Sequence, residues 1–204
     1  MISILNYGVG NIKAFASVFT RLNVSFNIVN NKSDLVKSKK ILFPGVGSFD
    51  NAMQLLNLSG MRDGLEDLVI NKEVPILGVC VGMQMFAQKS EEGEISGLGW
   101  INANVKKIQS NNKLIVPHMG WNNINIKRNH FIIDSISNDS FFYFLHSFYF
   151  DCFDDEESIC NTIYGTKFDS IICKKNIIGV QFHPEKSHGA GLTLLNNFAN
   201  LNIC

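Results

Sequence analysis

The sequence predicts an α/β fold: a mostly parallel, doubly wound central sheet with helices on both faces, plus a smaller antiparallel or mixed sheet. Three observations carry that prediction. Three strand-then-helix units precede a fourth strand, and that alternation builds parallel sheets. The fourth strand breaks at a cysteine flanked by glycines two residues away on either side, Gly78-Val79-Cys80-Val81-Gly82. After about residue 98, short strands separated by Gly and Asn replace the helices. The 204 residues suit one domain with a sizeable core.

Ile2-Ser3-Ile4-Leu5 is a short apolar strand that ends in Tyr7-Gly8-Val9-Gly10-Asn11. A helix follows, apolar at Ile12, Phe15, Val18, Phe19 and Leu22, three or four residues apart. Gly8 and Gly10 resemble the start of a dinucleotide fingerprint. The third glycine position holds Lys13, and the next strand, Ser25 to Val29, ends in Asn30-Asn31 rather than an acid. A tight strand-to-helix turn accounts for both glycines. Lys40 to Phe43 forms the third strand and runs into the glycine-rich loop Pro44-Gly45-Val46-Gly47-Ser48-Phe49. Flanking glycines make such a peptide easy to reorient. Phe49 to Leu58 and Leu65 to Ile70 read as helices, and Pro75 opens the fourth strand. In the second half, strands are expected at Ala103 to Ile108, Asn122 to Ile126, Phe142 to Phe150, Ser158 to Tyr164, Ser170 to Cys173 and Ile177 to Phe182. Gly189 to Leu201 is amphipathic and closes the chain as a helix. The Asn111-Asn112, Asn122-Asn123 and Asn196-Asn197 pairs are compositional.

Charge is balanced, 18 basic against 18 acidic residues, so the chain has no field for nucleic acid or an anionic membrane. The N-terminus lacks the pattern of a signal peptide, and no run reaches the roughly 18 apolar residues of a membrane span. Five irregularly spaced cysteines, Cys80, Cys152, Cys160, Cys173 and Cys204, include no C-x-x-C pair. That usage fits a reducing cytoplasm, not a disulfide framework or a zinc site.

The chemistry gathers at two places. Gly78 to Gly82 has the spacing of a nucleophile elbow, in which small residues let strand and helix approach while Cys80 protrudes at a helix N-terminus. The Val81 N–H then faces any oxyanion formed there. The alternative is a buried structural cysteine. Ile177 to Phe182 is an apolar strand running into His183-Pro184-Glu185. Pro184 stops the strand, and Glu185 is close enough to orient the imidazole. Cysteine, histidine and acid form the minimal set for acyl transfer through a thioester. Taken singly, His183 is equally a satisfied structural histidine and Glu185 a solvated turn acid. His183 and His188 lack the spacing of a metal site, so none is expected.

Gly78-Val79-Cys80-Val81-Gly82-Met83-Gln84 and Gln181-Phe182-His183-Pro184-Glu185 together resemble the triad-type (class I) glutamine amidotransferases, which have a flavodoxin-like fold. Pro44 to Ser48 stands where that family keeps its oxyanion loop. Tyr7 to Asn11, Pro117-His118-Met119-Gly120-Trp121-Asn122, His146-Ser147-Phe148-Tyr149 and Lys186-Ser187 narrow the match. They point to the glutaminase subunits that feed ammonia to a separate cyclase in histidine biosynthesis. The resemblance runs from Tyr7 to Ser187 and leaves no room for a synthase domain.

It implies Cys80 as nucleophile, His183 as acid and base, and Glu185 as orienter. It implies an oxyanion hole from the N–H groups of Val46 and Val81. Gln84 and the backbone of Gly47, Ser147 and Phe148 hold L-glutamine, with no cofactor. The implied partner is a (β/α)8-barrel cyclase in a heterodimer, docked over Asn11, Met119, Trp121 and Lys186 and needed for full glutaminase activity. Trp121 is either that anchor or a core residue. Val81 replaces a more common leucine, and Phe148 a more common tyrosine; each keeps the backbone contact. Three alternatives stay open. One is another amidotransferase or γ-glutamyl hydrolase on the same fold, against which the Pro117 to Asn122 motif argues. A second is a paralogue feeding a surface-glycan synthase, and a third is a catalytically silent scaffold.

Overall fold

A computed structural model describes residues 1–110 and 114–201. The Asn111-Asn112 pair and Cys204 lie outside the described residues. In chain order the elements are β1 (Ile2–Leu5), α1 (Ile12–Arg21), β2 (Phe26–Val29), α2 (Lys32–Leu35), β3 (Ile41–Gly45), α3 (Phe49–Leu58), α4 (Arg62–Glu66), β4 (Ile76–Cys80) and α5 (Val81–Gln84). There follow β5 (Lys89–Ser90), β6 (Ala103–Lys107), β7 (His118–Asn123), β8 (Asn125–Ile126), β9 (Phe141–His146), β10 (Phe148–Cys152), β11 (Ser158–Tyr164), β12 (Thr166–Lys174), β13 (Ile177–Val180) and α6 (His188–Ala199).

The central sheet has the order β2-β1-β3-β4-β13-β12-β11-β8. The run from β2 to β13 is parallel throughout. β12, β11 and β8 continue it antiparallel. Every residue of β1, β3, β4 and β13 is buried, which is why these strands read as unbroken apolar runs. β1 lies between β2 and β3, so the winding reverses after it. Right-handed crossovers then set α1 and α3 on opposite faces. Two smaller sheets, β10-β6-β5 and β7-β9, complete the fold.

Three differences from the sequence-based reading have local causes. Three of the antiparallel strands, β8, β11 and β12, extend the central sheet, and the other four are divided between two small sheets instead of one. The run Phe142 to Phe150 is two strands, because the chain changes partners at Ser147: β9 pairs with β7 and β10 with β6. The Ser147 carbonyl accepts the Ile108 N–H at 2.9 Å, starting the second ladder. The strand expected from Asn122 begins earlier, at His118, because its pairing with β9 starts there. The short elements α2 and β5 carry no periodicity long enough to predict.

The elbow is built by close approach. A Cβ on Gly82 would overlap the Phe43 carbonyl oxygen, and one on Gly45 would overlap the Gly82 nitrogen. A Cβ on Gly78 would sit 2.5 Å from the Phe86 ring. The backbone of β3 therefore lies directly against the turn after Cys80. Gly82→Ala should destabilise the protein by about 2–3 kcal/mol or more, because the obstacle is backbone rather than a movable side chain. Gly189→Ala, in the first turn of α6 with nothing within 4 Å of the added methyl, should be neutral or stabilising by about 0.5 kcal/mol. Urea melts of the two variants check the contrast.

Candidate active site

Three parallel strands end at one cleft. β3 delivers Val46 and Gly47 just beyond its end, β4 delivers Cys80, and β13 leads through Gln181 and Phe182 to His183. Ligands in open parallel sheets bind beyond the carboxyl ends of the strands. Here β4 is the central strand, in register with β3 (Gly45 opposite Cys80) and with β13 (Val180 opposite Val79). The cleft holds about 340 Å³ and is lined by Val46, Gly47, Cys80, Val81, Gln84, Ser147, Phe148, His183 and Lys186, all singled out from the sequence. It is also lined by Glu92, Pro117, Leu145 and His146.

Cys80 has φ 55° and ψ −114°, a backbone strain that a residue with a Cβ accepts only when its surroundings enforce it. The packing of Gly82 on Phe43 supplies that enforcement. The following helix, α5, has four residues, so the thiol faces the free N–H groups of one turn and not the dipole of a long helix. Gln181 Nε2 donates toward Cys80 Sγ at 3.8 Å, and the thiol lies 3.9 Å from the Leu145 carbonyl oxygen.

His183 is fixed from several sides. Its N–H donates to the Tyr143 carbonyl of β9 at 2.9 Å. Its own carbonyl accepts from Ser187 Oγ at 2.6 Å, and that hydroxyl accepts from the Tyr143 N–H at 3.0 Å. On the ring, Nδ1 is 3.0 Å from Glu185 Oε1, leaving Nε2 for the cleft. The side chains of His183 and Glu185 are 5% and 1% exposed, so Glu185 is buried behind the ring, not solvated on a turn. Burial alone would lower the imidazole pKa. The hydrogen bonds and charges of Cys80 and Glu185 outweigh it and push the pKa up to about 10. The second Glu185 oxygen, Oε2, is buried without a hydrogen-bond partner.

The loop after β3 is less free than its glycines suggested. β3 runs through Gly45, which is paired with β4 and pressed against Gly82. Gly47 has φ +87° and open space around its Cα. Val46 thus lies between one locked glycine and one unconstrained glycine, and is 38% exposed. The Tyr7 to Asn11 turn braces this segment. Tyr7 Oη donates to the Pro44 carbonyl at 3.0 Å, and a Cβ on Gly10, φ +103°, would meet the Pro44 ring. That close approach accounts for Gly10, and a φ of +110° accounts for Gly8, without a nucleotide.

Gln84 is buried and its Nε2 donates to the Phe148 carbonyl at 2.9 Å and to Gln181 Oε1 at 3.1 Å. Gln181 itself is fully buried and links Gln84 to Cys80; sequence reasoning quoted it in a motif without a role. Glu92 was also missed. It lies in the run Glu91-Glu92-Gly93-Glu94, which reads as a solvated loop. Asp50 accepts the N–H groups of Glu94 and Ile95 at 3.0 and 3.1 Å and pulls that loop against α3. Glu92 Oε2 then accepts the Phe49 N–H at 2.8 Å, and burial raises its pKa.

Of the predicted docking residues, Asn11, Met119 and Trp121 lie outside the cleft lining and Lys186 is on its rim. Asn11 is exposed at the N-cap of α1 with its side chain making no cap bond. Met119 and Trp121 are 66% and 46% exposed on the outer face of β7. Trp121 is therefore a surface residue, stacked on His188 with ring centroids 5.0 Å apart. Lys186 Nζ sits 5.5 Å over the Tyr143 ring at the cleft rim. Among the described residues no cluster of His, Cys, Asp and Glu could hold a metal ion, and no helix is long and apolar enough to cross a membrane.

Comparison with known proteins agrees with this geometry. The family model described as glutamine amidotransferase class-I matches residues 3–201. A relative from Leptospira interrogans, named imidazole glycerol phosphate synthase subunit HisH, is 50% identical over 204 residues, covering 98% of this chain and all of the relative. One of the same name from Bdellovibrio bacteriovorus is 45% identical over 98% of this chain and all of its own. Among solved structures, a glutamine amidotransferase superposes with a TM-score of 0.76 at 18% identity, covering 98% of this chain and 99% of that one. A chain of PurLQS from Thermotoga maritima gives 0.70 at 16%, covering 98% and 97%. The fold, the cleft and the full-length family match agree: the chain belongs to the class-I glutamine amidotransferase family.

Proposed function

We propose that this chain is the glutaminase subunit of imidazole glycerol phosphate synthase, acting as one glutaminase domain over residues 1–204 in the cytoplasm. It hydrolyses L-glutamine to glutamate and ammonia and passes the ammonia to a (β/α)8-barrel cyclase partner, with neither nucleic acid nor membrane involved. The observation that carries the reading is the meeting of Cys80 and His183 in one cleft at the sheet's carboxyl edge, with Glu185 bonded to His183 behind it. Identities of 50% and 45% over 98% of the chain to relatives named for this subunit support the pathway.

In this reading Cys80 gives its proton to His183, and the Sγ attacks the carboxamide carbon of glutamine. The N–H groups of Val81 and Val46 hold the oxyanion of the tetrahedral intermediate; losing one such donor costs about 3–4 kcal/mol of transition-state stabilisation. His183 protonates the departing ammonia, leaving a thioester. It then takes a proton from water, which attacks the thioester and releases glutamate. Glu185 holds the imidazole by Nδ1 and favours its charged form. Glu92 has one oxygen committed to Phe49 and the other available, which suits it to the substrate's α-ammonium. Gln84, Gly47, Ser147 and Phe148 hold the rest of glutamine. The partner docks on Met119, Trp121, Asn11 and Lys186, an apolar patch beside a rim cation.

The direct test is glutamate release from the chain mixed with its cyclase and the nucleotide substrate. Strong stimulation by partner and substrate is expected, and its absence would sink the reading. Cys80→Ser should abolish release while still binding the partner. Because the His183 pKa is raised above its ordinary 6.5, the imidazolium persists through neutral pH and is lost only as pH climbs towards that raised value. Glutamate release should fall along that alkaline limb, and Glu185→Gln should move the limb to lower pH by about one unit or more. A pH–rate profile of each protein reads the shift. Glu92→Gln should raise KM for glutamine about tenfold or more with a smaller change in kcat, the loss expected for a charge-assisted contact.

A further inference from the structure

A buried chain of hydrogen bonds runs from β7 to the cleft. Asn122 Nδ2 lies 3.3 Å from His118 Nε2, His118 Nδ1 lies 2.9 Å from His146 Nε2, and His146 Nδ1 lies 2.8 Å from the Phe148 carbonyl oxygen. The far end sets the direction. A carbonyl only accepts, so His146 Nδ1 carries the hydrogen and its Nε2 accepts from His118 Nδ1–H. His118 Nε2 then accepts from the Asn122 amide, whose other hydrogen goes to the Ile163 carbonyl at 3.1 Å. Both rings are neutral and buried. Burial lowers the His118 pKa to about 4 and that of His146 to about 3. His118 also stacks on Tyr164 and Phe144, with centroids 3.9 and 4.7 Å away.

The Phe148 carbonyl thus receives two donors, His146 Nδ1 and Gln84 Nε2. Phe148 stands opposite Lys107 in the β10–β6 ladder, whereas its neighbour Ser147 bonds the Ile108 N–H. Alternation along an antiparallel edge turns both polar groups of Phe148 away from β6. With the carbonyl held, the N–H of the same residue is left as a donor at the cleft that Phe148 lines.

We propose that His118 and His146 are positioning residues for glutamine: together they pin the Phe148 carbonyl and so fix the peptide that grips the substrate. The proposal rests on the glutaminase reading. It makes the hold on glutamine depend on β7, the strand whose outer face carries Met119 and Trp121.

The test compares KM and kcat for glutamine in the cyclase complex for wild type, His146→Leu, His146→Asn and His118→Phe, each checked for folding by circular dichroism and melting. His146→Leu removes the donor to Phe148. Asparagine returns an amide N–H near the Nδ1 position. His118→Phe keeps the stacking and removes the support of His146. His146→Leu should raise KM about tenfold with kcat within about twofold, the loss of one buried hydrogen bond. His146→Asn should recover most of that loss, and His118→Phe should raise KM about threefold or more. If His146→Leu does not fold, His118→Phe carries the test. Wild-type KM in the folded variants, or His146→Asn as impaired as His146→Leu, would overturn the proposal alone. A wild-type complex that releases no glutamate would overturn the glutaminase reading and this proposal with it.

Discussion

The contact between Gly82 and the Phe43 carbonyl governs this molecule. It has room for no side-chain atom, and it brings the end of β3 onto the turn that follows β4. Cys80 can then stand at φ 55°, a conformation that costs on the order of 1–3 kcal/mol unless neighbours enforce it. Gly45 and Gly78 complete the enclosure against the Gly82 nitrogen and the Phe86 ring. The two glycines of the elbow have separate jobs: Gly78 makes way for a core aromatic, and Gly82 makes way for backbone.

From that fixed point the rest of the site is set by register. Parallel pairing of β13 with β4 carries His183 to the same edge of the sheet as Cys80. The β9 strand then ties the His183 turn through Tyr143 and Ser187. The imidazole is held between a thiol and a buried carboxylate, and their attraction outweighs the burial that would otherwise discharge it. The polar groups behind the cleft, Gln84 and Gln181, are joined to each other and reach Phe148 on one side and Cys80 on the other. The amides of Gln84 and Gln181 thereby form one network behind the cleft.

Much of this was legible in the residues. α3 runs from Phe49 to Leu58, the limits its apolar spacing indicates, and the buried parallel strands announce themselves as short apolar runs between turn signals. The elbow and the His-Pro-Glu turn were legible because their chemistry is local: a few residues carry the geometry. What was not legible depends on pairing between distant strands. Nothing in Leu145-His146-Ser147-Phe148 marks Ser147 as the place where one ladder ends and another begins. Glu92 resembled any loop acid because the clamp that turns it inward, Asp50, comes from α3, far off in sequence. Gln181 stood in the sequence only as part of a motif; the buried Gln84 amide beside it supplies its partner.

The position of β13 has a consequence for how the protein comes into being. It is the last strand made, yet it sits in the interior of the central sheet, between β4 and β12. During synthesis the elbow and its thiol emerge from the ribosome long before the strand that leads to His183. Until β13 inserts, the parallel sheet has an open edge at β4 and Cys80 has no imidazole beside it. The cleft that holds Cys80 and His183 therefore forms in the same event that completes the central sheet.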